Sequence, residues 1–276
     1  MYCVQLITEQ QWDELFPERW GVGELWKREY RQLPFYQRDI EVDYYSHENF
    51  IRALHRMDAL YCNKLLARPG LTTTERLRAR AALLALMSQE TCNGDHALYY
   101  REELTHERYE GGPIELYRDV GDRTNYRCSS RPVFHSKCAY RPGEVRFPVQ
   151  SYHGRGPGQL TGAADYGMLS EFVFGNPDKL LQNPDILLED GVLGFMSVIW
   201  IWMTKILSKH CPHRAMYWDL SSDFSWGFGN TIMAMNKYVK TCTDYRHDHD
   251  AVDQEVVQRM YFYRKYACYF GVPVGT

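Results

Sequence analysis

The sequence lacks a long apolar segment, a strong charge imbalance and any low-complexity tract. Its longest apolar run, residues 192–203, is interrupted by Gly194 and Ser197. This run is shorter than the roughly 20 residues that a membrane-spanning helix needs, so we expect a buried core helix and no membrane partner. The formal net charge is only −3. Without a basic stripe there is no electrostatic argument for nucleic acid as a partner.

Cysteine is too sparse for a small scaffold held together by disulfides, with 8 residues in 276. The opening residues, Met1-Tyr-Cys-Val-Gln-Leu-Ile7, contain no signal peptide and run directly into a helix start at Thr8. Two interpretations remain open, an intracellular protein with free thiols or an oxidised protein whose leader was removed. We favour the second, a secreted or extracytoplasmic protein.

Helical signals dominate the sequence, which predicts a mainly α protein. Thr72 and Glu75 form a capping box, and the apolar face that follows leads directly to Glu90. Residues 91–149 are rich in Gly, Pro, Tyr and Arg and predict loops. Further helices are predicted at residues 161–174, 192–207, 231–239 and 252–269. The length suits one core, so we expect residues 1–276 to form a single domain.

A glycine-rich segment carries the strongest functional signal. Gly154-Arg-Gly-Pro-Gly158 imposes an irregular backbone. The polar residues Gln159, Thr161 and Asp165 follow at a predicted helix start. A rigid loop that presents polar groups in this way is typical of a concave ligand site, although a purely structural turn has the same composition.

The segment around this loop resembles the signature Y-Y-G-R-G-P-x-Q-L-S-x-N-x-N-Y-G of family 19 glycoside hydrolases, the plant-type chitinases. Upstream, Met87-Ser-Gln-Glu-Thr-Cys-Asn-Gly94 resembles that family's S-H-E-T-x-G-G. Further segments match in the same order, at residues 183–187, 195–204, 228–236 and 258–266. The resemblance implies a lysozyme-like fold of two helical lobes around a central substrate cleft with long loops. It also implies a disulfide between Cys128 and Cys138.

The resemblance further implies a pair of catalytic glutamates. Glu90 matches the glutamate of H-E-T and would be the general acid; its place at a helix C-terminus, half-buried, favours the neutral acid. Alignment on the aromatic pair Tyr99-Tyr100 places Glu103 on the general base, with Glu102 as the alternative. Both of the latter could also be solvated surface charges.

Other residues match positions that bind substrate or support the carboxylates. They are Gln89, Tyr152, Gln159, Thr161, Asp165, Asn236 and Arg259. We expect Arg259 to pair with a glutamate. Several positions depart from the family pattern, and these departures put full activity in question: Gln89 replaces histidine, Asn93 glycine, Thr161 serine and Asp165 asparagine.

Taken together, the sequence predicts an inverting endo-hydrolase of β-1,4-linked N-acetylglucosamine polymers such as chitin, acting as a monomer without cofactor or metal. The alternatives are a muramidase or endolysin that cleaves peptidoglycan, and a catalytically silent sugar-binding protein. The run His247-Asp-His-Asp250 has metal-ligand chemistry, but histidines at i and i+2 would need a strand or a turn and a third partner to bind zinc, so we interpret the run as a solvated loop. No nucleophile elbow supports Ser/His/Asp catalysis.

Overall fold

The computed structural model describes residues 7–19, 43–61, 72–92, 94–102, 152–204, 212, 228–235 and 254–274. Regular structure in these ranges is helical, and the β-structure described there is limited to isolated bridges. The helices of the described ranges are α1 (Glu9–Leu15), α2 (His47–Leu60), α3 (Thr73–Thr91), α4 (Ala163–Phe174), α5 (Asp178–Gln182), α6 (Ile186–Glu189), α7 (Gly191–Thr204), α8 (Phe228–Met235) and α9 (Gln254–Tyr269). The predicted mainly α class is confirmed.

The N-terminus of α3 has the capping box that the sequence predicts. The hydroxyl of Thr72 accepts a hydrogen bond from the backbone N–H of Glu75 at 3.2 Å, and the Glu75 carboxylate accepts one from the backbone N–H of Thr72 at 2.7 Å. This reciprocal pair satisfies two of the N–H groups that a helix start leaves unpaired. The helix then continues to Thr91, so Glu90 lies in its last turn.

The start of α4 differs from the prediction, because the helix begins at Ala163 instead of residue 161. Gly162 has a φ of +89°, a value that suits glycine and interrupts a helix. Just before it, the hydroxyl of Thr161 donates to the carbonyl of Gln159 at 2.7 Å. Gln159 and Thr161 therefore belong to the turn that precedes the helix.

The short helices α5 and α6, of five and four residues, were not predicted. Neither is long enough to show a helical period in the sequence.

Three helix pairings build the core: α9 packs along α3, α7 along α2, and α4 against α5. Trp12 of α1 is fully buried, and its indole N–H donates to the carbonyl of Tyr45 at 2.8 Å. Its ring also stacks on Phe50 with a centroid separation of 4.8 Å and meets Phe195 of α7 edge-on. These aromatic contacts join α1, α2 and α7. In the described part of the chain, no helix combines the length and apolar character required to cross a membrane.

Candidate active site

Backbone hydrogen bonds tie the end of α3 to the segment that follows it. The carbonyl of Thr91 accepts from the N–H groups of Tyr99 at 3.1 Å and Tyr100 at 2.9 Å. Its hydroxyl accepts from the N–H of Leu98 at 2.9 Å. The residue next to Glu90 thus anchors the chain that leads to Glu102.

That chain continues onto the glycine loop. The carbonyl of Arg101 accepts a hydrogen bond from the N–H of Gly156 at 2.6 Å, and Glu102 forms an antiparallel bridge with Arg155. The two segments that carry the family signatures therefore meet through one short stretch of backbone.

Glu90 forms an ion pair with Arg259 of α9. The guanidinium Nη2 lies 2.8 Å from Oε1 of the carboxylate. The Arg259 side chain is only 6% exposed, whereas that of Glu90 is 22% exposed. The prediction that Arg259 pairs with a glutamate is confirmed by this contact. The guanidinium of Arg259 therefore fixes the Glu90 side chain at the C-terminal end of α3.

The hydroxyl and thiol groups close to Glu90 in the chain are wholly or partly buried, and one of them contacts α9. Ser88 and Tyr266 share a hydrogen bond of 2.5 Å between their hydroxyl groups, both fully buried. Burial raises the pKa of Tyr266 well above its ordinary value. Burial, reinforced by the negative charge of Glu90, raises the pKa of the Cys92 thiol to about 11. Both groups are therefore neutral at physiological pH.

The glycine loop is a closed turn between Arg155 and Leu160. The backbone N–H of each donates to the carbonyl of the other, at 3.3 and 3.0 Å. Gly156 adopts a φ of +74°, a value that L side chains rarely adopt. A Cβ on Gly158 would lie 2.9 Å from Cβ of Val198, so the loop rests directly on α7.

Arg155 is the structural centre of this loop. It is buried, and its Nη2 lies 2.8 Å from the Asp185 carboxylate. Its Nη1 donates to the hydroxyl of Tyr166 at 2.9 Å and to the carbonyl of His153 at 3.3 Å. Burial alone would lower the pKa of Arg155, but Tyr166, Asp185 and Glu102 outweigh it and the net shift is upward. The arginine is thus a permanent cation.

Glu102 reaches the same loop through its side chain. Its Oε2 lies 2.9 Å from Nε2 of His153, and the two side chains are 12% and 7% exposed. The sequence prediction did not assign a role to His153. The available signal was its place in the loop motif, where the family pattern Y-Y-G-R-G-P has a tyrosine.

The predicted substrate-binding residues of the loop differ in exposure. Tyr152 is fully buried, and its hydroxyl donates to the carbonyl of Leu181 at 2.7 Å, which gives it a packing role in this structure. Gln159, Thr161 and Asp165 are half-buried. Gln159 has a φ of +46°, and its amide N–H donates to the carbonyl of Gly156.

Two side-chain oxygens near the predicted site lack a partner among the residues described. They are the buried Oε1 atoms of Gln89 and Gln159. Buried polar groups are normally hydrogen-bonded, so such acceptors are uncommon. Both residues belong to the predicted substrate-binding set.

Several predictions lie outside the described residues. They concern the general base Glu103, the cleft residues Asn93 and Asn236, the disulfide Cys128–Cys138, and the run His247-Asp-His-Asp250. Over the ranges that are described, no three His, Cys, Asp or Glu side chains form a metal-binding group.

A recess of about 300 Å³ lies where α2 meets the start of α7. Its walls carry charges of both signs, from Arg52 and Arg56 on one side and Glu189 and Asp190 on the other. None of the predicted site residues lines it, and nothing in its chemistry selects one class of ligand.

A comparison with known protein families identifies the family of this chain. The family model for class I chitinases, glycoside hydrolase family 19, matches residues 38–276. The chain belongs to this family. It is 27% identical over 248 residues to Chitinase 10 of Oryza sativa subsp. japonica, a match that spans 84% of this chain and 71% of the rice protein.

Two further known proteins resemble this chain. Inactive chitinase-like protein 1 of Hevea brasiliensis is 29% identical over 167 residues, covering 58% of this chain but only 47% of its own length. The crystal structure of a bacterial family 19 chitinase superposes with a TM-score of 0.60, at 22% identity, over 98% of each chain. At that identity the superposition shows the fold alone, and it confirms the predicted lysozyme-like architecture.

Proposed function

We propose that this family 19 member is an inverting endo-hydrolase of β-1,4-linked N-acetylglucosamine polymers. Glu90 would act as general acid, and a carboxylate of the Glu102-Glu103 step would act as general base, with Glu103 indicated by the sequence alignment. Because chitin is an extracellular polymer, the proposal implies action outside the cytoplasm. It also implies that a single copy of the chain suffices.

The observation that supports the proposal is the backbone link between Thr91, the neighbour of Glu90, and Tyr100, two residues before Glu102. An extended residue spans about 3.3 Å, so Glu102 lies within roughly 10 Å of the Thr91 carbonyl by way of Tyr100. Inverting glycosidases separate their two carboxyl groups by about 6.5–9.5 Å, which leaves room for a water molecule. The connecting backbone is compatible with that separation.

The two carboxylates also have different partners, as two different roles require. Glu90 contacts a permanent cation, Arg259, and Glu102 contacts an imidazole, His153. Distinct electrostatic surroundings are the usual means by which paired carboxyl groups acquire acid and base functions. The amide oxygens of Gln89 and Gln159, which have no hydrogen-bond partner within the described part of the chain, are acceptors that sugar hydroxyl or acetamido N–H groups can use.

A catalytically silent sugar-binding protein is the second candidate. Two observations favour it: the departures from the family pattern at Gln89, Asn93 and Asp165, and the likeness to a rubber-tree protein named inactive. Peptidoglycan cleavage remains the alternative among enzymes, because the lysozyme-like scaffold also suits that substrate.

Hydrolysis assays on a chitin hexasaccharide and on peptidoglycan would separate these candidates. The proteins to compare are the wild type, Glu90→Gln, Glu102→Gln and Glu103→Gln, with the exposed Glu171→Gln as a matched control. We expect wild-type turnover of the hexasaccharide, unchanged in Glu171→Gln and abolished in Glu90→Gln. Wild type that binds the sugar without cleaving it would establish the silent protein, and cleavage of peptidoglycan alone would establish the muramidase.

A further inference from the structure

His153 is a buried group that contacts Glu102 and that the proposed mechanism has not used. Its ring nitrogen Nε2 contacts the Glu102 carboxylate at 2.9 Å, across a separation of 51 residues in sequence. Both side chains are almost entirely buried. A contact of this length between an imidazole and a carboxylate is a hydrogen bond that restricts the rotamers of both residues.

We propose that His153 is a positioning residue that orients Glu102, and that Glu102 is the carboxylate that activates the attacking water. This inference rests on the proposed function and decides between the two glutamates that it leaves open. In the reaction, Glu102 accepts a proton from water as the water oxygen attacks the anomeric carbon. The glycosidic bond breaks, and Glu90 supplies a proton to the leaving oxygen, so the charges balance.

The backbone around His153 fixes the ring in place. Its carbonyl accepts hydrogen bonds from the hydroxyl of Tyr166 at 2.8 Å and from Arg155 at 3.3 Å. Arg155 also bridges to Glu102 through the backbone. With the main chain held by two buried groups, the imidazole has little freedom to leave the carboxylate.

Charged and polar groups of the described residues surround the pair. Arg155 is the cation that faces Glu102, and Asp185 largely neutralises it at 2.8 Å. Tyr166 faces His153 as a neutral hydroxyl, because burial raises its pKa to about 12. Arg101 adjoins Glu102, but its guanidinium lies over the ring of Tyr44, 5.0 Å from the centroid.

Because His153 contacts Glu102, the loss of activity at low pH (the acidic limb of the pH profile) depends on the protonation of both residues. The form that can accept a proton from water has an ionised Glu102 and a neutral His153 whose Nε2–H donates. A proton added to this coupled pair enters either the imidazole or the carboxylate, and in both cases the base is weakened. A neutral donor in place of histidine removes one of the two protonation sites, so activity should persist to lower pH.

Two substitutions of His153 separate positioning from bulk. In His153→Gln the side-chain amide keeps a neutral N–H donor at a comparable reach, whereas in His153→Phe the donor is lost and the ring volume kept. A hydrogen bond to a charged group corresponds to roughly a 10- to 100-fold factor, so we expect kcat of His153→Phe on the hexasaccharide to fall by that factor with KM nearly unchanged. His153→Gln should stay within about threefold of wild type, and its acidic limb should move to lower pH.

The exposed His55 of α2 provides the matched control, since His55→Gln should leave both kcat and the pH profile unchanged. The positioning role would be overturned if the acidic limb of the pH profile did not move in His153→Gln, or if His153→Phe kept the wild-type kcat. Greater loss in Glu103→Gln than in Glu102→Gln would overturn the assignment of the base.

Failure of the proposed function has a different signature, the absence of turnover in the wild type itself. The pairing of His153 with Glu102 can then still be measured by NMR of the imidazole nitrogens. Removal of the carboxylate charge in Glu102→Gln should make the His153 ring titrate at lower pH than in the wild type. An identical titration in both proteins would show that the contact does not exist in solution.

Discussion

Loss of the arginine that pairs with Glu90 should destabilise the protein measurably. In Arg259→Met the hydrocarbon bulk is largely retained, but Glu90 loses the guanidinium at 2.8 Å. Breaking a fully buried ion pair costs about 3–5 kcal/mol. Because 22% of the Glu90 side chain is exposed and water can solvate part of the carboxylate, we expect a smaller loss of about 2–3 kcal/mol in the free energy of unfolding.

Substitution of Glu90, the other member of the ion pair, should reduce the free energy of unfolding by less. In Glu90→Gln the amide oxygen can still accept from Arg259, so only the charge-assisted part of the bond is lost, about 1 kcal/mol. If the two residues act through one contact, the double variant is more stable than the sum of the single losses predicts, by about 1 kcal/mol or more. Arg264→Met, on an exposed position of the same helix, should change stability by less than about 0.5 kcal/mol.

Urea unfolding followed by tryptophan fluorescence and far-UV circular dichroism measures these differences, provided that the m-values agree among the variants. A loss in Arg259→Met no larger than that in Arg264→Met would show that the ion pair contributes nothing. Strict additivity in the double variant would show that Arg259 acts through other contacts.

Three further outcomes are expected. Peptide mapping of unreduced protein should recover a Cys128–Cys138 disulfide, whose loss on reduction should cost roughly 2–3 kcal/mol for a loop this short; free thiols at both positions would contradict it. Cys92, whose burial raises its pKa to about 11, should react with iodoacetamide at pH 8 far more slowly than the exposed Cys268, and equal rates would refute the burial argument. The family resemblance implies that Asp165 lies near the proposed base, so removal of its negative charge in Asp165→Asn should raise turnover and move the acidic limb of the pH profile downward. The same change weakens the favourable interaction of the first turn of α4 with its helix dipole, at a cost of about 0.5 kcal/mol. A variant that is no faster and has an unshifted profile would place Asp165 away from the site.

Local signals allowed most of the helical fold to be predicted from sequence. The capping box at Thr72 and Glu75 acts within four residues, and α3 begins and ends nearly where the pattern indicates. The start of α4 was predicted two residues early, since the positive φ of Gly162 depends on the turn before it. In α5 and α6 the sequence is too short to show a period, and surrounding contacts decide the conformation.

Only the site residues that belong to sequence motifs could be predicted. Glu90 and Arg259 were both identified, and their ion pair follows from α9 packing along α3. The contact of His153 with Glu102 joins residues 51 positions apart and no periodicity signals it. The salt bridge of Arg155 with Asp185 is equally non-local. Such contacts depend on tertiary packing, which a single sequence does not display.

The most direct test of the central claim is the anomeric form of the first product. Proton NMR during hydrolysis of a chitin hexasaccharide distinguishes the α from the β reducing end before mutarotation equilibrates them. The account predicts that the wild type releases the α-anomer first, because water attacks the face opposite the leaving group, and that Glu90→Gln releases no product. Release of the β-anomer, or equal turnover by Glu90→Gln, would contradict the claim that Glu90 and a second glutamate perform an inverting displacement.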